Sequence, residues 1–589
     1  MDGRASRACE AGQADDPGVV IARSVPPRSD SARICTTVIE GDSPLTLETH
    51  PERHGRIAAW AGRFLTFRPL YRRGRSSDFS LAQIIVIFTL FMVVTAIPII
   101  TYALPPLEDY VNHLARMHVI TSIGKDSDLA RFYEIDWEFV PNLMMDLTVP
   151  LLAKVMNVYL AGKLFIIAAF VLIASGTFML NRALFRAWSL TPLIVFPLLY
   201  NYVFLVGVMN YEFGMGLALW GLAVWVLLRE RAWPLRLAVS SLFVLALFFC
   251  HLYTLGVYGL GLLAFELWRL FVVKPSPLRT ALIDFVATGV PFLVTAPFLL
   301  HNPILDHVGG FQWESLGKID GLTYIVEVYS DVVAFALTGA LVAAAIWATR
   351  HRLLRFHPAG AFVLGVGFIV YLALPRVLFD TYMGDQRLPI AVAYMTIACL
   401  SIDLRHRLVR RGFLALSLVV LAVRVMEVNV GWEQQSTATS EFRASIKRIA
   451  RGARVLVTYA DPSRGDDVDD LGLVHAACLA ILERSALVTT AFTVEGKQIM
   501  HVRPEYRDEV DTEDGTPPST EQLVVAALRP DPDSTAYWSN WTEKYDYVYS
   551  LFTEDDTPNP APDLLAPVYD GDGFQLYRVL KPQPLEAGR

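Results

Sequence analysis

Long apolar stretches recur along most of this chain, between residues 80 and 430. A helix needs about 20 apolar residues to cross the hydrocarbon core of a bilayer. About eleven stretches approach that length, near 81–102, 160–181, 190–208, 211–228, 236–251, 253–273, 280–300, 332–349, 359–375, 388–403 and 412–429. The pattern predicts a mainly α fold, a polytopic bundle of about eleven transmembrane helices.

Beyond residue 430 the hydrophobicity falls and the pattern changes. Three short runs have the composition of strands, at 454–459, 545–549 and 574–579, and a helical stretch lies near 470–487. Strands that alternate with helices and Pro-rich connections indicate a small α/β domain. This part shows no metal-ligand spacing, Gly-rich phosphate loop or nucleophile elbow, so we seek the chemistry in the membrane part.

The first 80 residues are rich in Arg, Ser, Asp and Pro and lack the apolar core of a signal peptide. They carry too little apolar surface to offset the entropy of ordering, which predicts disorder. We therefore expect three parts: a cytoplasmic, largely disordered leader over 1–80, a transmembrane bundle over 81–430 with its first outside loop over 105–159, and an external α/β domain over 431–589.

Basic residues fall on alternate loops of the predicted bundle. Cytoplasmic loops of membrane proteins are enriched in Lys and Arg. Basic clusters lie at 68–75, 182–186, 229–236, 274–279, 350–355 and 405–411, and the loops between them carry more acids. The N-terminus is therefore expected in the cytoplasm, and an odd number of spans places the C-terminal domain outside.

The composition excludes an ordinary cytosolic enzyme. Hydrophobic residues make up 53% of the chain and charged residues only 19%, and the mean hydropathy is +0.39. Soluble domains usually carry about 25% charged residues. The net charge of -7 is spread without a long run of one sign, which gives no argument for a nucleic-acid partner.

The first outside loop opens with two acids, Glu108 and Asp109, followed by a run with helical spacing. Asp109, His113 and Arg116 fall at i, i+4 and i+7 and share one face. Another face is apolar, at Tyr110, Leu114 and Met117. Adjacent carboxylates at a lipid–water boundary suit a general base or a cation ligand. A structural alternative stays open, in which Asp109 caps the helix and His113 only pairs with it.

Further candidates lie at other outer boundaries of the bundle. Arg387 precedes a span, with Asp385 available to orient it. A guanidinium matches the oxygens of a lipid phosphate, although long basic side chains also snorkel at helix ends. Asn210 and Glu212 lie where another span begins, and ionisable groups at membrane depth usually face a cavity or a partner.

Two groups of charges have competing structural interpretations. Arg424 lies one helical turn from Glu427, so it either serves the site or is simply neutralised by its neighbour. The first loop also holds an acidic stretch around Trp137, which we expect to form a solvated face, at Glu134, Asp136, Glu138 and Asp146.

The order of these features resembles that of bacterial GT-C-type integral membrane glycosyltransferases. The most specific motifs are Glu108-Asp109-Tyr-Val-Asn112-His113-Leu-Ala-Arg116 and Asp385-Gln-Arg387-Leu-Pro389, set within about eleven spans and an external C-terminal domain. The resemblance implies an enzyme of the bacterial inner membrane. It would move a hexosyl or pentosyl group from a polyprenyl-phosphate carrier to a glycolipid, polysaccharide or protein acceptor at the outer face.

The resemblance also implies roles for individual residues. Asp109, with Glu108 beside it, takes the catalytic role, and Arg387 holds the carrier phosphate. The predicted catalytic residues are Glu108, Asp109 and His113, and the predicted substrate-binding residues are Arg116, Asn210, Glu212, Asp385, Arg387 and Arg424. The two acids are adjacent, so a spaced acid-x-acid metal site is absent at that point of the sequence, and the need for a divalent cation stays open.

Other classes of protein fit the same topology. A transporter or lipid flippase uses similar spans, but the sequence shows no internal repeat. An O-antigen-ligase-like enzyme or polysaccharide polymerase shares much of the expected chemistry, and a structural or assembly protein could act through the external domain. The acids clustered in the first outside loop favour an enzyme, because a scaffold has no need of ionisable groups at the membrane surface.

Overall fold

The computed structural model describes residues 79–274, 277–300, 302, 312–314, 317–378, 381–511, 516–531 and 533–581. These residues belong to one compact unit. Residues 1–78, which include nearly all of the predicted leader and the basic cluster at 68–75, lie outside the described residues.

Seven helices in the described part of the chain are long and apolar enough to cross a membrane. They are Val158–Phe185, Met209–Glu230, Trp233–Cys250, Leu252–Val273, Leu278–Leu299, Asp331–Arg350 and Arg407–Ile446. Three shorter apolar helices accompany them, Leu81–Thr95, Ala359–Ala373 and Leu388–Ala398. Each of these helices overlaps one of the predicted stretches, so the mainly α, multi-pass bundle is confirmed.

Polar side chains fix the points at which several of these helices begin. The Ser80 side chain accepts from the backbone N–H of Gln83, whose side chain bonds back to Ser80. Asn157 and Ser330 cap the helices that follow them in the same way, without the return bond. Such caps satisfy backbone N–H groups that have no partner within the helix.

The predicted span at 190–208 is not one long helix. Its first part is the 3₁₀ helix Thr191–Leu198, and its second part is the single turn Tyr202–Leu205. Pro192 and Pro197 lie inside the first part, and proline removes a backbone donor and clashes with the preceding turn of an α-helix. The expectation of a continuous span is therefore wrong here, and the irregular chain leads directly into residues 205–212, which contact the first loop.

Three of the long helices contain irregular parts. Met209–Glu230 ends in the 3₁₀ turn Leu228–Glu230, and Leu252–Val273 ends in the π-helical turn Arg269–Val273. Leu278–Leu299 consists of the α-helices Leu278–Ala287 and Ala296–Leu299 with the 3₁₀ helix Val290–Thr295 between them. The bundle also contains the short α-helices Ile97–Thr101 and Gly317–Thr323 and the antiparallel strands Leu354–Phe356 and Leu400–Ile402.

The predicted first outside loop folds into its own small structure. It contains the helices Tyr110–Ser122, Ser127–Phe132 and Met144–Leu152 and the strand Tyr133–Ile135. We call Tyr110–Ser122 the loop helix. It covers the run whose spacing predicted a helix, so that local prediction is confirmed.

The C-terminal part contains a five-stranded sheet. Its strands lie in the order Leu487–Val488, Arg454–Tyr459, Tyr547–Leu551, Phe574–Val579 and Leu565–Gly571. The first three are parallel, and the last two pair antiparallel. Helices and 3₁₀ turns flank the sheet, at Pro462–Asp466, Leu471–Val474, Ala476–Cys478, Leu479–Arg484, Pro504–Glu509, Thr520–Leu528 and Trp541–Lys544. The small α/β domain is confirmed.

The loop helix lies between the bundle and the C-terminal part. Tyr110, Leu114 and Met117, the predicted apolar face, are buried in the core of the bundle. Val111, Ala115 and Val119, on another face, are buried in the core of the C-terminal part. The helix is thus covered by protein on two sides.

Two further connections join the bundle to the C-terminal part. The last helix, Arg407–Ile446, is continuous over 40 residues and passes through the predicted boundary at 430. The first-loop strand Tyr133–Ile135 pairs antiparallel with Met500–Val502. The first loop and the C-terminal part therefore form a continuous structure on one side of the bundle.

Candidate active site

The two acids of the first loop are held by backbone hydrogen bonds to the chain that precedes the span at 209. The N–H of Glu108 donates to the carbonyl of Leu205 at 3.1 Å, and the N–H of Asp109 donates to Val206 at 3.0 Å. The side chain of Asp109 makes no capping hydrogen bond to the loop helix. The interpretation of Asp109 as a helix cap is therefore wrong, because that role requires the carboxylate to accept from the first turn.

A glycine permits this close approach. Gly207 has φ +84°, in the left-handed region that favours glycine. A Cβ atom at this position would lie 2.8 Å from the backbone nitrogen of Asp109. The placement of the first-loop acids thus depends on the absence of a side chain at residue 207.

A histidine of the C-terminal part faces the same carboxylate. The Nε2 atom of His475 lies 3.6 Å from Oδ1 of Asp109. Its Nδ1 atom lies 3.3 Å from the amide nitrogen of Asn112, on the loop helix. That amide also donates to the carbonyl of Thr490 at 2.7 Å, and its oxygen accepts from the N–H of Phe492 at 2.9 Å. The C-terminal part therefore supplies one side of the candidate site.

Sequence analysis did not identify His475. Asn112 and His475 are 363 residues apart, so no local spacing relates them. Burial lowers the pKa of His475 to about 4, which leaves the imidazole neutral at neutral pH.

Glu108, Asp109 and His475 form a group that we call the carboxylate cluster. Each offers one ligand atom, and these atoms all lie within 4.8 Å of one another. Two carboxylates and an imidazole are donors that zinc or manganese accepts. The adjacent acids can thus contribute to a cation site without the acid-x-acid spacing, provided that His475 presents a free lone pair.

His113 and Arg116 are buried residues of the loop helix itself. Asp146 holds the guanidinium of Arg116 through two hydrogen bonds of 2.6 and 2.9 Å, and both side chains are buried. The Nη2 atom of Arg116 also lies 3.3 Å from Nδ1 of His113. Burial, and next the charge of Arg116, hold the pKa of His113 well below its ordinary value. His113 is therefore a neutral neighbour of a buried ion pair, and its catalytic role stays a prediction.

Asp136 and Glu138 are exposed, as expected of a solvated acidic face, but Asp146 is not part of it. Asp146 is 2% exposed, because it neutralises Arg116 inside the fold. Two nitrogens of the Arg116 fork are engaged, and the third, Nη1, has no hydrogen-bond partner among the described residues. Contact of Arg116 with a substrate stays a prediction.

Asn210 joins the first loop to the bundle. Its amide nitrogen donates to the backbone carbonyl of Asn142, and its oxygen accepts from the N–H of Met145, both at 2.7 Å. These bonds position the start of the helix that carries Asp146. The structure places Asn210 as a support of the loop, and contact with substrate stays a prediction.

Arg387 is enclosed rather than extended toward the surface. Its guanidinium lies 3.3 Å from Nε2 of His251 and donates to the carbonyl of Tyr382 at 3.1 Å. Its backbone carbonyl accepts from the hydroxyl of Tyr211 at 2.6 Å. The residue is 6% exposed, and its Nε has no hydrogen-bond partner in the described part of the chain. This burial differs from snorkelling, in which the head group extends to water.

Asp385 does not orient Arg387 as the sequence suggested. Its carboxylate instead accepts from Nε of Arg376 at 3.0 Å and pairs with Lys318 at 2.7 Å. Arg376 also pairs with Glu314 at 2.7 Å. Lys318 and Arg376 thus share Asp385, which lies two residues before Arg387 in the chain. Lys318 was missed because it belongs to a helix of only seven residues, Gly317–Thr323.

Glu212 and Arg424 occupy two different environments. Glu212 is 1% exposed, and neither carboxylate oxygen has a hydrogen-bond partner among the described residues. Arg424 pairs with Glu427 at 2.6 Å and donates to the carbonyl of Val326. Glu427 in turn accepts from the N–H of Ser330 at 2.9 Å. The Arg424 pair ties two helices together, and a role for either residue in substrate binding stays a prediction.

Comparison with known proteins gives a similarity of structure but not of sequence family. No protein-family model matches the chain, and no curated protein matches it. The chain is similar to the crystal structure of ArnT from Cupriavidus metallidurans bound to undecaprenyl phosphate, with a TM-score of 0.47 and 12% sequence identity. The match covers 85% of this chain and 98% of that chain.

Proposed function

We propose that this chain is a membrane glycosyltransferase of the GT-C type. It moves a sugar from a polyprenyl-phosphate carrier to an acceptor at the outer face of the bacterial inner membrane. The N-terminus lies in the cytoplasm and the C-terminal part in the periplasm. The acceptor is a glycolipid, a polysaccharide or a protein.

The observation that carries the proposal is that one short segment bonds to the backbone of both Asp109 and Arg387. Val206 accepts the backbone hydrogen bond of Asp109, and the Tyr211 hydroxyl donates to the carbonyl of Arg387. We call residues 205–212 the bridging segment. A base and a phosphate-binding group on a common support are what transfer from a phosphate-linked sugar requires.

These groups support a displacement at the anomeric carbon of the sugar. The Asp109 carboxylate takes the proton of the acceptor hydroxyl as its oxygen attacks that carbon. The bond from the anomeric carbon to the carrier phosphate breaks, and its electron pair leaves with the phosphate. Arg387 then neutralises the charge that develops there, because its fork of donors matches phosphate oxygens. Glu108 lies beside the base.

A lipid flippase is the second candidate, because Lys318, Arg376 and Arg387 would also suit a lipid phosphate that is moved without chemistry. The Asp109 carboxylate favours transfer over transport, since translocation needs no base. An O-antigen-ligase-like enzyme or polymerase would share the same base and phosphate site and differ in its acceptor.

Turnover by the purified protein tests the proposal. Polyprenyl-phosphate sugars are supplied one at a time, and release of the free carrier phosphate is measured. We expect Asp109→Asn to reduce release by about 10²- to 10⁴-fold at normal abundance, because the amide keeps the shape but loses the basicity. Asp331→Asn is the matched control, since Asp331 is an exposed acid at the start of another helix.

Two outcomes would contradict the proposal. Absence of carrier release with every sugar tested, together with movement of the lipid between leaflets, would favour the flippase. Release by Asp109→Asn within a few-fold of the parent would remove the base role from Asp109, and Glu108→Gln would then be tested as the alternative.

A further inference from the structure

The orientation of the Asn112 amide is fixed by the C-terminal part. Its nitrogen donates to the carbonyl of Thr490, and its oxygen accepts from the N–H of Phe492. If the amide oxygen and nitrogen of Asn112 were exchanged, two oxygens would face each other at Thr490 and two N–H groups at Phe492. The nitrogen, which carries a second hydrogen, therefore faces Nδ1 of His475 at 3.3 Å.

This contact selects one tautomer of His475. A neutral imidazole has one N–H and one lone pair. Since the Asn112 amide presents a donor to Nδ1, that atom has to accept. The proton then lies on Nε2, the atom that is 3.6 Å from Oδ1 of Asp109.

The same tautomer opposes a cation in the carboxylate cluster. A metal at this point would need the lone pair of Nε2, which would move the proton to Nδ1. The Nδ1–H group would then meet the N–H of Asn112, and two donors would face each other. The three ligand atoms lie close enough for one cation, but the hydrogen bonds around His475 favour an N–H toward the carboxylate.

We infer that His475 is a positioning residue that orients the carboxylate of Asp109 through its Nε2–H group. The inference rests on the proposed function and extends it to the C-terminal part. The separation of 3.6 Å is longer than a hydrogen bond, and such contacts often shorten only when the substrate is bound.

Two substitutions of His475 distinguish the roles of its two ring nitrogens. The amide nitrogen of Gln reaches about as far as Nε2, so His475→Gln keeps a donor toward Asp109. The side chain of Asn ends near the position of Nδ1, so His475→Asn keeps an acceptor for Asn112 and loses that donor. We expect His475→Gln to retain kcat within a few-fold and His475→Asn to lose about 10- to 100-fold, with KM for the carrier-linked sugar unchanged in both.

Controls separate positioning from folding. His501→Asn changes a half-buried histidine of the same part of the chain, and we expect parent kcat and KM. A merely structural role of His475 would lower the melting temperature and abundance of both His475 variants without distinguishing their kcat. Equal kcat for the Gln and Asn variants would overturn the inference.

A metal-binding role of His475 predicts a different result. If His475 were a ligand, both variants would lose turnover, a chelator would abolish the activity of the parent, and added Mn²⁺ would restore it. That result would also overturn the inference.

The tautomer can be measured independently of turnover. In protein with ¹⁵N-labelled histidine, the His475 resonances are those missing from His475→Gln, and we expect a protonated Nε2 and an unprotonated Nδ1. The opposite tautomer would overturn the inference. If the parent protein has this tautomer but transfers no sugar, the proposed function is contradicted instead. Asp109 would then not act as a base, and His475 would have no base to position.

Discussion

Gly207→Ala tests whether a backbone contact positions the carboxylate of Asp109, the proposed base. An L-residue in the left-handed region costs about 1–2 kcal/mol. The new Cβ atom would also lie 2.8 Å from the backbone nitrogen of Asp109, so the two chains must separate by about 0.6 Å to reach the 3.4 Å of ordinary contact. The separation weakens the hydrogen bond from Asp109 to Val206, which contributes about 0.5–1.5 kcal/mol.

We therefore expect Gly207→Ala to destabilise the fold by about 2–3 kcal/mol. A shift of the base by a fraction of an ångström should also lower kcat by about 10- to 100-fold, because transfer depends on the alignment of the reacting atoms. The assay is carrier release by purified protein, together with the melting temperature in detergent. KM for the carrier-linked sugar should change little, because the atoms nearest to a Cβ at residue 207 belong to Asp109 and Tyr110 and not to Arg387.

Gly365→Ala is the matched control. Gly365 lies within the helix Ala359–Ala373, and a Cβ atom there would meet nothing within 4 Å. Alanine is favoured over glycine inside a helix, so parent kcat and an equal or higher melting temperature are expected. A lowered melting temperature with parent kcat in Gly207→Ala would refute the reasoning, because it would show that this contact stabilises the fold without positioning the base.

Three other predictions concern the phosphate site, the buried ion pair and the topology. Arg387→Lys should weaken the affinity for the carrier-linked sugar although the charge is kept, because an ammonium cannot form the two-pronged contact; unchanged affinity and turnover would exclude phosphate binding by Arg387. Asp146→Ala should destabilise the protein by about 3–5 kcal/mol, measured as a lower melting temperature, because it leaves Arg116 buried and unpaired; a parent melting temperature would contradict this. Reporter fusions at residues 60 and 500 should report from opposite sides of the membrane, and the same side for both would contradict the assigned topology.

Local pattern was sufficient for elements whose side chains alternate in a regular way. The strands 454–459 and 574–579 have the predicted bounds. Each is a short run rich in β-branched and aromatic residues, with turn-forming residues on both sides. The prediction of a continuous span at 190–208 is wrong, because hydropathy adds up the apolar side chains only. It does not take account of the backbone N–H groups that Pro192 and Pro197 lack.

The candidate site was predictable only where its residues are close in sequence. The spacing of Asp109, His113 and Arg116 predicted the loop helix, and a second apolar stripe beginning at Val111 was present in the same run. The contribution of His475 depends on long-range packing that no periodicity encodes. Asp146 was expected in solvent because an acid gives no sign, from sequence alone, that a distant arginine will bury it.

The pairing of Tyr133–Ile135 with Met500–Val502 limits how this protein can be divided or recombined. A C-terminal fragment produced alone would present an open strand edge and the apolar surface that normally covers Val111, Ala115 and Val119, both of which promote aggregation. A chimera that exchanged only the C-terminal part would have to match a foreign strand and a foreign loop helix at once. The first loop and the C-terminal part can therefore be exchanged only together, although about 270 residues of bundle separate them in the chain.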